Sequence, residues 1–245
     1  IRWLTAFIDM PADSFDAGTR FWRDITGSDI SEPRGEHDQF ATVIPPRGDA
    51  YLRVQRVGDD QARIHLDLHV DSIPDAKEEA IGLGARLVAD LGWLIMASPA
   101  GLPFCFVADR GESIRALPQF EPPRLLDQLS IDVPAGLFDS ECRFWAGLTG
   151  WELSPGRFEF ARLATPSQLP YRILLQCLGD DDSDSTARAH LDIACGDNID
   201  SIAAEHERLG ARNLGRRHYW VTMQDPAGLP YGLTPRDPAT GLPPT

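Results

Sequence analysis

The chain has 245 residues, 42% of them hydrophobic and 24% charged, a balance that excludes disorder throughout. Its 21 Gly and 20 Pro favour turns and short strands over a helical bundle. A net charge of −14 argues against nucleic acid or anionic membrane surfaces as partners, and no apolar run approaches the roughly 18 residues of a membrane span.

In chain order, Phe15, Gly18, Trp22 and Ile25 step by helical spacing and predict a first helix. Strands follow over 39–44, 51–57 and 63–70. Ile73, Ala76, Ala80 and Leu83 form a second amphipathic helix that ends at Gly84, suited to a left-handed closing residue. Strands over 93–97 and 104–107 complete the first half, and the Pro-rich run 118–123 breaks periodic structure. The second half reads the same way. A helix through Phe138, Cys142, Trp145 and Leu148 precedes strands over 158–163, 171–178 and 189–195. A helix through Ile199, Ile202, His206 and Leu209 ends at Gly210, ahead of strands over 220–223 and 231–234. His206 falls where the first half has Ala80, which predicts a core histidine. The Pro- and Gly-rich end is expected to hang as a tail.

This parallel is an internal repeat. Arg20-Phe21-Trp22 returns as Arg143-Phe144-Trp145, and Ile64-His65-Leu66-Asp67-Leu68 returns as Ala189-His190-Leu191-Asp192-Ile193. Pro99-Ala100-Gly101-Leu102-Pro103 returns as Pro226-Ala227-Gly228-Leu229-Pro230. The expected organisation is a module over 1–117, a linker over 118–123, a second module over 124–236 and a tail over 237–245. Each module reads as a pair of β-α-β-β-β units, an α+β fold whose curved mixed sheets enclose a cavity.

Period-two alternation puts Leu66, Leu68 and Val70 on the helix side of their strand and His65, Asp67 and His69 on the other. In the second half His190 and Asp192 share the side away from the helix. Burying an unpaired imidazole or carboxylate costs several kcal/mol. Such a row is therefore a metal or acid–base site, or a His–Asp pair that only organises hydrogen bonds; periodicity leaves both open. His69 has no counterpart in the repeat and reads as local. Gln55 and Gln176 recur at matching strand positions and are candidates for facing the cavity. Trp93 and Trp220 open matching strands as hydrophobic mass in or beside it.

Through Arg63-Ile64-His65-Leu66-Asp67-Leu68, the Leu-Gly-Ala helix ends and the Pro-Ala-Gly-Leu-Pro turns, nearly the whole chain resembles, twice over, the vicinal oxygen chelate superfamily. That superfamily includes glyoxalase I, bleomycin-resistance proteins and extradiol dioxygenases, and the likeness is to its glyoxalase-like branch. The resemblance implies metal-ligand positions on the first strand (Thr5 and Gln128), on the strand opening the second unit (His65 and His190) and on the last strand, where Glu is expected (Cys105 and Gly232). Only the middle ligand is retained. The one combination with three donors is His65, Cys105 and Gln128, and it lacks a carboxylate.

The expectation is therefore a tandem protein binding an organic small molecule without a catalytic metal. It acts by sequestration or by acid–base chemistry at His65 or His190, with Gln55, Asp67, Trp93, Cys105, Gln128, Gln176, Asp192 and Trp220 as ligand contacts. No cofactor is predicted, and a divalent metal serving a lyase or extradiol-type dioxygenase is the alternative. The two modules are expected to pair within the chain, with homodimerisation left open. The four cysteines Cys105, Cys142, Cys177 and Cys195, which have neither close pairing nor zinc-finger spacing, suggest a reducing cytoplasm. No phosphate-binding loop or Gly-x-Ser-x-Gly elbow occurs, and Asp180-Asp181-Asp182 with Asp184 reads as a solvated hairpin loop.

Overall fold

A computed structural model describes residues 1–90, 93–156, 158–179, 185–217 and 219–244; the acidic run at Asp180–Asp184 lies outside them. The first half runs β1 (Trp3–Pro11), α1 (Phe15–Thr26), β2 (Asp29–Ile30), β3 (Phe40–Ile44), β4 (Leu52–Val57), β5 (Arg63–Val70), α2 (Ile73–Gly82), β6 (Arg86–Asp90), β7 (Leu94–Ala97) and β8 (Pro103–Ala108). The second half repeats this as β9 (Leu125–Val133), α3 (Phe138–Thr149), β10 (Leu153–Pro155), β11 (Phe160–Leu163), β12 (Arg172–Cys177), β13 (Arg188–Ala194), α4 (Ile199–Arg208), β14 (Arg212–Arg216), β15 (Val221–Gln224) and β16 (Pro230–Thr234). The strands form two eight-stranded sheets of identical order, β2-β3-β4-β1-β5-β8-β7-β6 and β10-β11-β12-β9-β13-β16-β15-β14. Both are mixed, because β5 pairs with β8 and β13 with β16 in parallel, while the flanking hairpins are antiparallel. The fold is α+β with curved sheets, as expected from the repeat.

The four helices form where periodicity places them. Gly84 and Gly210 close α2 and α4 at φ 103° and 107°, a region that strains any residue with a Cβ. One helix departs from expectation. Of the predicted α2 stripe only Ala80 is buried, and Leu83 is exposed. Its side chain lies where a Cβ on Gly147 of α3 would come within 2.8 Å. The α2 stripe thus partly covers another helix rather than only the sheet.

The compact units do not follow the sequence halves. One consists of Ile1–Ala6, Ile64–Ser113 and Leu129–Ala189, the other of Phe7–Arg63, Ile114–Gln128 and His190–Thr245. The first is centred on Phe104, Phe106, Phe144 and Trp145, whose ring centroids lie 5.1–5.8 Å apart. The second is centred on Phe21, Trp22, His206 and Tyr231, with centroids 5.5–5.9 Å apart. Each core joins the Arg-Phe-Trp helix of one half to the last strand of the other. Edge-to-face rings at these distances add about 0.5–1.5 kcal/mol per pair beyond burial. His206 is fully buried, as predicted, with Nδ1 2.9 Å from Tyr231 Oη. Burial first, and the Arg124 charge second, lower its pKa to about 3.

The seam and the end of the chain are more ordered than their composition suggests. Gln119 and Arg124 form an antiparallel bridge, and Arg124 stacks on Phe120, donates to the Ile25 carbonyl and binds Glu205 at 2.6 and 2.8 Å. Arg236 is buried against Asp127 at 2.8 Å, and Asp237 caps a turn through Ala239 and Thr240. A buried carboxylate at Asp127 requires a partner, and the arginine supplies it.

Candidate functional site

The repeated polar blocks account for the first contacts around the site. In one unit Arg63 Nε lies 3.3 Å from Asp9 Oδ2; in the other, Arg188 Nε lies 3.4 Å from Asp132 Oδ2. The arginines open β5 and β13, one position before the residues that lead into His65 and His190.

In the first unit, strand alternation sets His65 and Asp67 side by side on β5, with His65 Nε2 3.9 Å from Asp67 Oδ1. The parallel register pairs Asp67 with Cys105 of β8. Donor atoms of His65, Asp67 and Cys105 all lie within 4.8 Å of one another. Asp67 and Cys105 are buried, and the His65 side chain is 14% exposed, so the imidazole is the accessible member. The three-donor set implied by the resemblance lacks a carboxylate on the last strand; Asp67, on the same face of β5 as His65, brings one to this cluster.

In the second unit the same geometry holds a different set. His190 Nε2 lies 3.6 Å from Asp192 Oδ1, and Gln128 Nε2 donates to Asp192 Oδ2 at 2.7 Å. Asp192 is paired in register with Gly232 of β16, and a Cβ built on Gly232 would overlap Asp192 Oδ1. The carboxylate of β13 therefore occupies the seat that a side chain on the last strand would fill. That explains physically why glycine stands there.

The remaining predicted contacts are engaged in other ways. Gln176 donates to Glu159 Oε1 at 3.3 Å, Trp220 Nε1 donates to Thr222 Oγ1 at 3.2 Å, and Trp93 is 49% exposed. Gln55 is half-buried opposite Phe40. A water-sized cavity of about 20 Å³ is bordered by Tyr51, Arg124, Leu125 and Ile193, among others, and by none of the predicted ligand contacts. His69, read as local, is a buried residue whose Nε2 meets Thr5 Oγ1 at 3.0 Å.

As a metal centre, the first unit fits better than the second. Imidazole, carboxylate and thiol together suit a borderline ion such as Zn²⁺ or Fe²⁺. In the second unit one carboxylate oxygen already accepts the Gln128 amide, and the last strand offers no side chain.

Paired β-α-β-β-β units carrying an imidazole–carboxylate face define a vicinal oxygen chelate fold. The glyoxalase-like domain model matches residues 5–107 and again 128–234, and the chain belongs to that family. A search of curated protein sequences gives no match. Among solved structures, the chain is similar to the Mn(II)-bound glyoxalase from Novosphingobium aromaticivorans, with 18% identity, TM-score 0.66 and coverage of 98% of this chain and 83% of that one. It is also similar to 2,2',3-trihydroxybiphenyl 1,2-dioxygenase from Sphingomonas wittichii strain RW1 (16%, TM-score 0.62, coverage 96% and 90%). A third is a 4-hydroxymandelate synthase mutant from Streptomyces coelicolor (14%, TM-score 0.61, coverage 98% and 93%). At these identities the likeness is one of fold.

Proposed function

We propose that the chain binds an organic small molecule at its imidazole–carboxylate faces and that the second-module site works without a catalytic metal. Binding there leads to sequestration or to acid–base chemistry at His190. The observation that carries this reading is the 2.7 Å bond from Gln128 to Asp192. It engages one oxygen of the carboxylate that a metal would need, and the partly exposed His190 beside it serves as proton donor or acceptor. Imidazole is the side chain most often used for proton transfer near neutral pH. The net charge of −14 favours neutral or cationic ligands over anions. Hydroxylated aromatic rings named for two dioxygenase neighbours support an organic, ring-bearing ligand.

A second reading, a metal-dependent lyase or extradiol-type dioxygenase, is favoured by the His65, Asp67 and Cys105 cluster and by the Mn(II)-bound glyoxalase neighbour. Metal content after purification without chelator, compared between wild type, Asp192→Asn and Cys105→Ser, separates the two. The metal-free reading expects that neither Asp192→Asn nor Cys105→Ser changes bound metal. It also expects neutral and cationic monocyclic aromatics to raise the melting temperature of wild type but not of His190→Ala. Metal lost on Asp192→Asn would overturn it, and metal lost on Cys105→Ser would favour the second reading.

A further inference from the structure

We propose that His69, Asp109 and Glu112 form a divalent transition-metal site at the C-terminal end of β5, in addition to the faces carrying His65 and His190. His69 stands two residues beyond Asp67, where β5 still pairs with β8 through Val107. Asp109 continues that ladder by donating its backbone N–H to the Val70 carbonyl at 3.0 Å, and Glu112 follows in the same loop. The donor atoms of the three side chains lie within 4.8 Å of one another.

Three observations point to an ion rather than a plain ion pair. His69 is 1% exposed, and its Nε2 is held 3.0 Å from Thr5 Oγ1, so Nδ1 is the atom directed at the carboxylates. An outer partner of this kind is what orients a metal-binding imidazole and sets its tautomer. Second, Nδ1 and Glu112 Oε2 are 3.4 Å apart. That is long for a charge-assisted hydrogen bond, which runs to about 2.7–2.9 Å. It matches two donors on one tetrahedral ion, since bonds of about 2.0–2.1 Å put them roughly 3.3–3.4 Å apart. Third, Glu112 Oε2 is buried and accepts no hydrogen bond among the described residues. The Arg2 guanidinium, which feels the Asp109 charge, is held by Asp71 at 2.9 and 3.0 Å. Two carboxylates with a neutral imidazole balance a 2+ charge, and the mixed nitrogen and oxygen set suits Zn²⁺, Mn²⁺ or Co²⁺.

Calorimetric titration of the full chain with Zn²⁺, in a Cys105→Ser background that removes the thiolate at the other cluster, tests the proposal. One ion per chain is expected, with affinity falling at least about tenfold on Glu112→Gln or Asp109→Asn. Thr5→Val is expected to weaken binding by a smaller factor, and Thr5→Ser to restore it. Glu112 is partly exposed, so Glu112→Gln should fold even if substitutions at His69 do not. Unchanged zinc affinity in both carboxylate variants, or no binding at millimolar zinc, would overturn the site. Glu112 belongs to neither the His65 nor the His190 pair, so this result is independent of the metal-free reading of the second module.

Discussion

Replacing Asp225 by Ala should destabilise the chain by about 3–4 kcal/mol. Its carboxylate, 4% exposed, accepts the Trp22 indole N–H at 2.7 Å and the backbone N–H groups of Ala227 and Leu229 at 2.8 Å each. Alanine leaves three donors without a partner, at about 1–3 kcal/mol for each one that stays buried. Relief of the carboxylate's own desolvation, which raises its pKa, offsets part of that loss. Trp22→Phe removes the indole donor together with part of a fully buried ring and should cost at least about 1.5–3 kcal/mol, the worth of a hydrogen bond to a charged group. A double-mutant cycle in urea, followed by far-UV circular dichroism, should then show a coupling of at least about 1 kcal/mol. A cost below about 1 kcal/mol for Asp225→Ala, or additive single effects, would refute the reasoning. The first unit solves the same problem with the parts exchanged. Ser98 stands at the turn position of Asp225, and the acceptor for Trp145 Nε1 is Glu141 of the helix, at 2.8 Å; Glu141 also accepts the Ala100 N–H. A Cβ on its counterpart Gly18 would overlap Met10 Sδ, so a side chain there requires that methionine to move.

Two buried groups should bend the pH dependence of stability in opposite directions. Burial, only partly offset by hydrogen bonds from Ser98, Ala100 and Trp145, raises the Glu141 pKa above 4.5. The folded state therefore binds this proton more tightly, and stability rises as pH falls through the raised value towards 4.5. Glu141→Gln should remove that gain in urea unfolding measured at stepped pH, and an unchanged acid-side slope would count against it. His206 has its pKa lowered from 6.5 to about 3, so its contribution is complete above pH 6.5 and is lost as pH falls through that window. The slope from this group approaches about 1.4 kcal/mol per pH unit. His206→Gln should flatten it, and a profile identical to wild type would show that the imidazole is not held neutral.

The fold and the histidine–aspartate faces are legible in the sequence alone. Helix spacing, period-two strands and closing glycines are local signals, and an internal repeat reports each of them twice. His65 with Asp67, and His190 with Asp192, needed only strand alternation. The seating of Asp192 over Gly232 was not legible, because a glycine in a list of residues records a missing ligand and says nothing of which atom fills the space. Nor was the contact of His69 with Thr5, which lies on another strand.

Spacing and repetition were sufficient for the two-module architecture and the imidazole pair, since each depends on residues within a turn or a strand of one another. Tertiary packing was needed to choose which carboxylate meets which donor. Asp225 reaches Trp22 and Glu141 reaches Ala100 only because each compact unit draws one motif from either half of the chain. Buried hydrogen-bonding groups must be matched wherever the chain brings them together, and no local pattern records where that will be.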